Sequence, residues 1–273
     1  MWKLIKMDFY RLISSKAIKV GALMACLVCA GYMLLSLGIV ELAKLVFKQD
    51  PMAALGLELV LAQVSWMNGV NFAEIVFGAT AVLSLFIGCM ISANFIGSEQ
   101  SCGYTKNFAG QLPNKGYMAI SKFVVTSFAQ IVIFVIYAIV SAVLAVLLFG
   151  QYINGYAIGS LLAALGLRLM LHLAINAIII FLCILTKSHS IAMIAGCIFG
   201  IGVTKFAYLA VDVILSTLKI NFSITSYMPD GINSQIALDT VGDLYIKAIL
   251  VSLAFMAAFL AANYYVLQKR DVR

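Results

Sequence analysis

The chain has 273 residues, of which 64% are hydrophobic and only 11% are charged. A soluble domain carries roughly 25% charged residues, so this composition excludes a water-soluble globular protein. The apolar residues form continuous runs of about 20 residues, the length of a membrane-crossing helix, and lack the alternation of β-barrel strands. The sequence therefore predicts an all-α integral membrane protein with six transmembrane helices. Its net charge of +7 comes from cations beside those runs, which indicates membrane topology and not nucleic-acid binding.

The first 19 residues form a basic amphipathic stretch. Apolar residues recur at helical spacing between Trp2 and Ile13. The cations among and after them are Lys3, Lys6, Arg11 and Lys16. The pattern predicts an interfacial helix over residues 1–19, on the cytoplasmic surface, with its cations toward lipid phosphates. The alternative is that these residues are the cytoplasmic start of the first span. The apolar run that follows is too long for a cleavable signal peptide.

A six-helix transmembrane domain is predicted over residues 20–273. The predicted spans are about 20–40, 70–96, 123–149, 156–186, 190–215 and 244–267. Between them lie a cytoplasmic loop at 97–122, outer segments at 41–69 and 216–243, and two short turns. The three prolines, Pro51, Pro113 and Pro229, fall outside the spans, as uninterrupted helices require.

The distribution of cations predicts the orientation. With the N-terminus inside, the inner segments hold twelve cations: Lys3, Lys6, Arg11, Lys16, Lys19, Lys106, Lys115, Lys122, Lys187, Lys269, Arg270 and Arg273. The outer segments hold four: Lys44, Lys48, Lys219 and Lys247. Because inner loops are enriched in Lys and Arg, both termini are predicted to be cytoplasmic, in the plasma membrane of a bacterial cell.

The sequence offers no catalytic or metal-binding motif. Five of the six cysteines lie in apolar runs and Cys102 lies in the cytoplasmic loop, so no disulfide framework is expected. Cys26 and Cys29 form a C-x-x-C without a neighbouring histidine, which is a weak metal signal. There is no G-x-x-x-x-G-K-[S/T] phosphate loop. We therefore expect no bound cofactor, no metal and no enzymatic activity of the chain alone.

The cytoplasmic loop 97–122 carries a recognisable arrangement of residues. It contains Glu99, Gly103, Tyr104, Thr105, Phe108, Pro113, Lys115 and Lys122. This order resembles the first cytoplasmic loop of ABC-2 type ABC transporter permeases, in which a Glu leaves span two, a Gly-Thr pair follows, and a short helix ends before a Pro and a basic residue. Here Tyr104 separates Gly103 from Thr105, which departs from that pattern. The ending Gln268 to Arg273 is also similar to the family's basic-Asp-aliphatic tail.

The resemblance implies a function and partners. It implies a coupling helix near 105–112 that docks on a separate ATPase, with Tyr104 and Phe108 as anchors; a solvated linker is the alternative. It further implies two ABC ATPase subunits that bind ATP and Mg²⁺, a second permease copy, and hydrophobic or amphipathic peptide cargo such as a toxin or bacteriocin. Residues 216–243 would then contain the re-entrant helix pair that caps the path in such exporters.

Polar residues inside two spans are candidate path residues. Arg168, His172 and Asn176 lie on one face of span four. Lys205, Tyr208 and Asp212 lie on one face of span five. Counting 1.5 Å per residue from the inner ends allows an Arg168–Asp212 ion pair. Such groups either line a transport path or hold the two spans together, and the sequence leaves both interpretations open.

Two other functions remain possible on the sequence. The chain could be a secondary transporter or ion pathway that uses Arg168, His172, Lys205 and Asp212 as a relay, although it has no internal repeat of the kind that such proteins often carry. It could also be a membrane regulator that transports nothing. Finally, Gly196 and Gly200 form a G-x-x-x-G, which predicts close packing of span five inside the bundle.

Overall fold

The structure, a computed structural model, describes residues 2–49, 70–80, 83–102, 114–150, 153–218, 222–238 and 242–269. Within these ranges the helices are α1 (Trp2–Ser14), α2 (Lys16–Gln49), α3 (Phe72–Ala79), α4 (Leu83–Ser101), α5 (Tyr117–Phe149), α6 (Ile158–Thr186), α7 (His189–Ile201), α8 (Thr204–Thr217), α9 (Pro229–Gln235) and α10 (Asp243–Lys269). A 3-10 turn covers Thr225–Tyr227, and two short strands are β1 (Val70–Asn71) and β2 (Ile153–Gly155).

Several of these helices are long and apolar enough to cross a membrane. Among the described residues, five stretches meet this condition: Lys16–Gly38, Phe72–Gln100, Tyr117–Phe149, Ile158–Thr186 and Asp243–Lys269. Helices α7 and α8, bent by 64° at their junction, make a sixth if they count as one broken span. The helical, membrane-embedded class predicted from the sequence is confirmed. The predicted number of six spans lies within the observed range of five or six.

Contacts at the helix ends define two ends of the bundle. We call the end at which α4 finishes and α5 begins the loop end, and the opposite one the far end. At the loop end, Leu4 of α1 and Met118 of α5 form a buried cluster against which Leu267 of α10 packs. The Gln100 side chain donates to the carbonyl of Cys183 on α6 over 2.9 Å. Both terminal helices therefore meet at the loop end. The described helices give six passages between the two ends if the α7–α8 pair counts as one.

Predicted span five, 190–215, consists of two helices that meet at a bend. Its first half, α7, ends at Gly202, whose φ is +81° and whose backbone N–H donates to the carbonyls of Ile198 and Phe199. Glycine favours this left-handed position because it has no Cβ. Predicted span two, 70–96, corresponds to α3 and α4, which together form one apolar stretch, Phe72–Gln100.

The other predicted boundaries shift by a turn or more. Helix α2 continues to Gln49, beyond the predicted end of span one near residue 40. The loop predicted at 97–122 is helical up to Ser101 and again from Tyr117. At the far end, β1 and β2 pair in parallel, with Val70 opposite Ile153. The Phe72 and Tyr156 rings, 5.5 Å apart, extend this contact. The predicted turn 150–155 is thus partly an extended segment.

Helix α6 lies at the centre of the packing. It contacts α3, α4, α5, α7, α9 and α10. Its Leu171, Ile175 and Ile179 side chains are completely buried. Helix α7 packs closely on α4, because a Cβ on Gly200 would lie 2.6 Å from the Cα of Phe86 and one on Gly196 would lie 3.4 Å from the carbonyl oxygen of Cys89. The predicted packing of the Gly196–Gly200 face is therefore confirmed.

Candidate functional site

The predicted coupling segment lies between two anchored helix ends. Gly103, Tyr104, Thr105, Phe108 and Pro113 fall outside the described residues. Glu99 and Lys115 are described: Glu99 lies in the last turns of α4, and Lys115 lies in the turn that leads into α5. The structure thus locates the start and the end of the segment.

Four charged side chains form a buried cluster where α1, α4 and α5 meet. This ion cluster consists of Asp8 and Arg11 from α1, Glu99 from α4 and Lys122 from α5. Glu99 pairs with both Arg11 and Lys122. Lys122 also lies 3.4 Å from the Asp8 carboxylate, whose other close partner is the Ser121 hydroxyl, donating over 2.6 Å. Each carboxylate therefore has a cation within reach and the cluster is electrically balanced.

The cluster is removed from solvent. The side chains of Asp8, Glu99 and Lys122 are only 1%, 3% and 6% exposed, whereas Arg11 retains 29%. The Phe95 ring lies under both cations, with its centroid 4.3 Å from Arg11 Cζ and 5.6 Å from Lys122 Nζ. Burying one of these charges alone would cost several kcal/mol, so the four groups depend on one another. Such dependence fixes the relative positions of the three helices that contribute them.

This arrangement adds to the expectation for the N-terminal stretch. Arg11 was predicted to face lipid phosphates; its guanidinium also binds Glu99, while 29% of its side chain stays exposed. Asp8 was not singled out by the sequence reasoning. Its signal was its position: it lies one turn from Leu4, Ile5 and Leu12 on the buried face of α1. An acid on the apolar side of a basic amphipathic helix indicates a buried cationic partner.

Further contacts hold the two ends of the coupling segment. Next to Glu99, the Gln100 amide bonds to the α6 backbone, as described above. On the other side, the Asn114 amide donates to the Tyr264 hydroxyl of α10 over 2.5 Å, and Asn114 Oδ1 accepts from the Gly116 N–H. A Cβ on Gly116 would lie 2.4 Å from the Tyr264 ring. The segment is therefore attached at its start to α1, α5 and α6, and at its end to α1, α4 and α10.

The polar stripe of predicted span four is buried inside the bundle. Arg168, His172 and Asn176 are at most 3% exposed. The Asn176 amide donates to the Thr126 hydroxyl of α5 over 3.0 Å. The His172 ring meets the Phe134 ring edge-on, with centroids 5.4 Å apart. Arg168 contacts α3, and His172 and Asn176 contact α5.

Arg168 binds the end of α3. Its guanidinium donates to the carbonyl of Phe77 and, over 3.0 Å, to the Thr80 hydroxyl. It also stacks on the Phe77 ring at 3.4 Å from the centroid. A cation is favourable near the last carbonyls of a helix, because they carry partial negative charge. These partners accommodate a charge in the interior of the bundle.

The predicted Arg168–Asp212 ion pair is not formed. The Asp212 carboxylate accepts from the Ser223 hydroxyl at 2.8 Å and from the backbone N–H groups of Ile224 and Thr225 at 2.5 and 3.1 Å. It caps the 3-10 turn that follows. The depth argument assumed a straight helix, but the bend at Gly202 directs α8 away from α6, so the predicted pairing was wrong.

The other polar residues of α8 gather around α9. Thr204 hydrogen-bonds to the Asp230 carboxylate of α9. Lys205 and Tyr208 both interact electrostatically with Asp230. Asp230, which the sequence reasoning placed only in an outer segment, is 2% exposed. Helix α9 itself packs on α6 through its buried Ile232. The segment predicted to be re-entrant therefore contains a short helix, α9, whose Asp230 carboxylate binds α8.

Neither of two comparisons with known proteins places the chain. No family model matches its sequence. No curated protein is significantly similar to it. Among the described residues, no group of three His, Cys, Asp or Glu side chains could hold a metal ion.

Proposed function

We propose that the chain is the permease subunit of an ATP-driven ABC exporter, working as two copies with two separate ATPase subunits. The ATPases would bind ATP and Mg²⁺. The cargo class that the resemblance favours is a hydrophobic or amphipathic peptide, such as a toxin or bacteriocin. In this proposal the loop end faces the cytoplasm of a bacterial cell, in agreement with the excess of cations there.

The observation that carries the proposal is the attachment of both ends of the coupling segment. Glu99 and Lys122, which flank the segment, belong to one ion cluster with α1. Gln100 and Asn114 connect the same two ends to α6 and α10. A force applied to residues 103–113 would therefore reach α1, α6 and α10 through the ends of α4 and α5. A solvated linker would have no need of such attachment.

The test is cargo-stimulated ATP hydrolysis. The full chain is reconstituted in proteoliposomes with its candidate ATPase, and ATP hydrolysis is measured with and without peptide cargo. Phe108→Asp is expected to abolish co-purification of the ATPase, because a charge replaces the apolar anchor. Tyr10→Asp is the matched control, since Tyr10 is an exposed aromatic on α1. Retention of a working ATPase after Phe108 and Tyr104 are both replaced would contradict the proposal.

The same reconstitution distinguishes the alternatives. Transport driven by a proton gradient without any ATPase would identify a secondary transporter. Stable co-purification with an ATPase, without stimulation by any cargo, would identify a regulator. Of the four relay residues, Arg168 and His172 are buried among neighbouring helices, and Arg168 and Asp212 bind different partners, so we favour the exporter.

A further inference from the structure

Two cavities at the loop end join into one continuous site on the outside of the bundle. The first, of about 280 Å³, is lined by Arg11, Ser15, Ala17, Asn94, Phe95 and Ser98; we call it the headgroup pocket. The second, of about 250 Å³, continues between α2, α4 and α7; we call it the acyl groove. Ala17 and Asn94 line both cavities, which makes them neighbours along α2 and α4.

The two cavities differ sharply in chemistry. The headgroup pocket presents a guanidinium, two hydroxyls and an amide. The acyl groove is lined almost entirely by apolar side chains, among them Val20, Met24, Phe86, Ile91 and Met193. A site that is polar and cationic at one end and apolar along the rest matches an amphiphile with an anionic head.

The length of the site matches one leaflet of a bilayer. From Ser98 to Phe86 the site follows twelve residues of α4, or about 18 Å at 1.5 Å per residue. Half of the hydrocarbon core measures about 15 Å. The pocket lies beside the ion cluster, at the level where α1 ends and α2 begins, and the groove runs from there toward the far end. The polar end therefore coincides with an interface and the apolar end with the bilayer interior.

The charge around the pocket favours an anion. Residues 2–19 contain five cations and one acid, Asp8, which is buried against Lys122. Lys16 and Lys19 are exposed at the start of α2, next to the pocket. Arg11 lines the pocket, keeps 29% of its side chain exposed and also binds Glu99. A guanidinium carries five N–H donors and binds phosphate oxygens in pairs.

We propose that the headgroup pocket and the acyl groove bind one anionic phospholipid from the leaflet at the loop end. Its phosphate lies at Arg11 and Ser15, and one acyl chain lies between α2, α4 and α7. The lipid phosphate then provides an additional anion beside Arg11. Lipid composition thereby acts on the position of α1 relative to α4. This site requires only that the chain is in a membrane, and does not depend on the exporter assignment.

The experiment is a lipid titration of the full-length chain, purified in detergent and delipidated, followed by native mass spectrometry. Phosphatidylglycerol and phosphatidylcholine with identical acyl chains are compared. We expect phosphatidylglycerol to bind at least about fivefold more tightly, the contribution of one cation beside an anionic headgroup. Equal retention of the two lipids would show ordinary solvation of an apolar surface and would overturn the proposal.

Paired variants localise the binding. Ser98→Asp places a negative charge in the headgroup pocket and is expected to remove the preference for phosphatidylglycerol. Ser14→Asp, an equally exposed serine at the end of α1, is the control and should retain it. Met24→Trp fills the acyl groove and should reduce binding of both lipids, whereas Leu23→Trp, its exposed neighbour, should not. An effect of the controls equal to that of the pocket variants would also overturn the proposal.

None of these measurements involves an ATPase or a cargo. A failure of lipid selectivity would therefore leave the exporter proposal intact, and a failure of peptide-stimulated ATP hydrolysis would leave the lipid site intact. The thermal stability of each variant in detergent shows whether it is folded. If Ser98→Asp does not fold, it is replaced by Ser15→Asp, a change at the other serine of the headgroup pocket.

Discussion

Lys122 illustrates how a single side chain can connect several helices. It is nearly fully buried and contacts carboxylates from two other helices, Asp8 and Glu99. The removal of one member of such a group leaves a charge buried without its partner, which costs about 3–5 kcal/mol. The removal of two opposite members leaves a balanced pair. The charges should therefore be strongly coupled in their effects on stability.

We expect Lys122→Met to lower the midpoint of thermal unfolding in detergent by much more than Lys16→Met, a change at an exposed lysine near the same end. Adding Glu99→Gln to Lys122→Met should restore part of the loss, because Asp8 and Arg11 remain as a pair. Differential scanning fluorimetry of the wild type, Lys122→Met, Glu99→Gln and the double variant measures this coupling, and Lys16→Met is the control. Strictly additive losses from the two substitutions would contradict the coupling.

Arg168 is the second residue whose partners decide its role. Its hydrogen bonds go to Phe77 and Thr80, and those of Asp212 go to the turn after α8. The sequence places Arg168 and Asp212 at compatible heights, but it does not show the bend at Gly202 or the partners that each side chain finds on other segments. The guanidinium binds a backbone carbonyl and a hydroxyl, and not a carboxylate.

Charge reversal tests this assignment. Arg168→Glu should be destabilising, since the buried carbonyl of Phe77 then faces an acceptor and not a donor. Adding Asp212→Arg should give no rescue, because the two side chains do not meet. Arg168→Lys, which keeps a donor, should lose less. Thermal unfolding in detergent measures the stability of all three variants. Recovery of stability in the double variant would indicate that residues 168 and 212 do meet and would contradict the assignment.

At the scale of the helices, glycine positions separate tight from loose contacts. A Cβ on Gly200 would meet backbone of α4, which cannot move aside as a side chain can. Gly166 in α6 has no neighbouring atom within 4 Å of its Cβ position. Both residues lie within helices, so their intrinsic preference for alanine is the same, about 0.5–1 kcal/mol. They therefore form a matched pair that differs only in packing.

We predict that Gly200→Ala lowers the thermal midpoint because α7 must move away from α4. Gly166→Ala should leave it unchanged or raise it, because alanine stabilises a helix relative to glycine. The comparison uses the same detergent and the same fluorimetric measurement. An equal effect of the two substitutions would mean that the α4–α7 contact is looser than the structure has it.

At the scale of the whole molecule, much of the architecture follows from the sequence. Continuous apolar runs predict helices that can cross a membrane, and the described residues contain five or six of them. The runs do not reveal the bend between α7 and α8, since the residues that immediately flank Gly202 are as apolar as the rest of the run. Part of the candidate site could be predicted from the sequence, because Glu99 and Lys122 belong to a recognisable motif. Asp8 could be found only by noting that it lies on the apolar face of α1. The burial of Arg168, His172 and Asn176 depends on which helices surround α6, which periodicity does not fix.

Both terminal helices meet at Met118, so both termini should lie on one side of the membrane. Fusion of green fluorescent protein to either terminus should give fluorescent cells, because this reporter folds in the cytoplasm. A periplasmic phosphatase at the same positions should be inactive. If the α7–α8 pair only dipped into the membrane, the chain would cross five times and the two termini would give opposite results.

The weak attachment of α8 has a consequence for assembly. Helix α8 buries none of its side chains against the described part of the chain, and its hydrogen bonds to α9 and the 3-10 turn involve two carboxylates, Asp212 and Asp230. Charge-assisted hydrogen bonds contribute about 1.5–3 kcal/mol each. Because lipid already covers an apolar surface inside a membrane, a second subunit packed on Phe206 and Leu209 would add mainly van der Waals contacts. Such contacts would act directly on the position of α8.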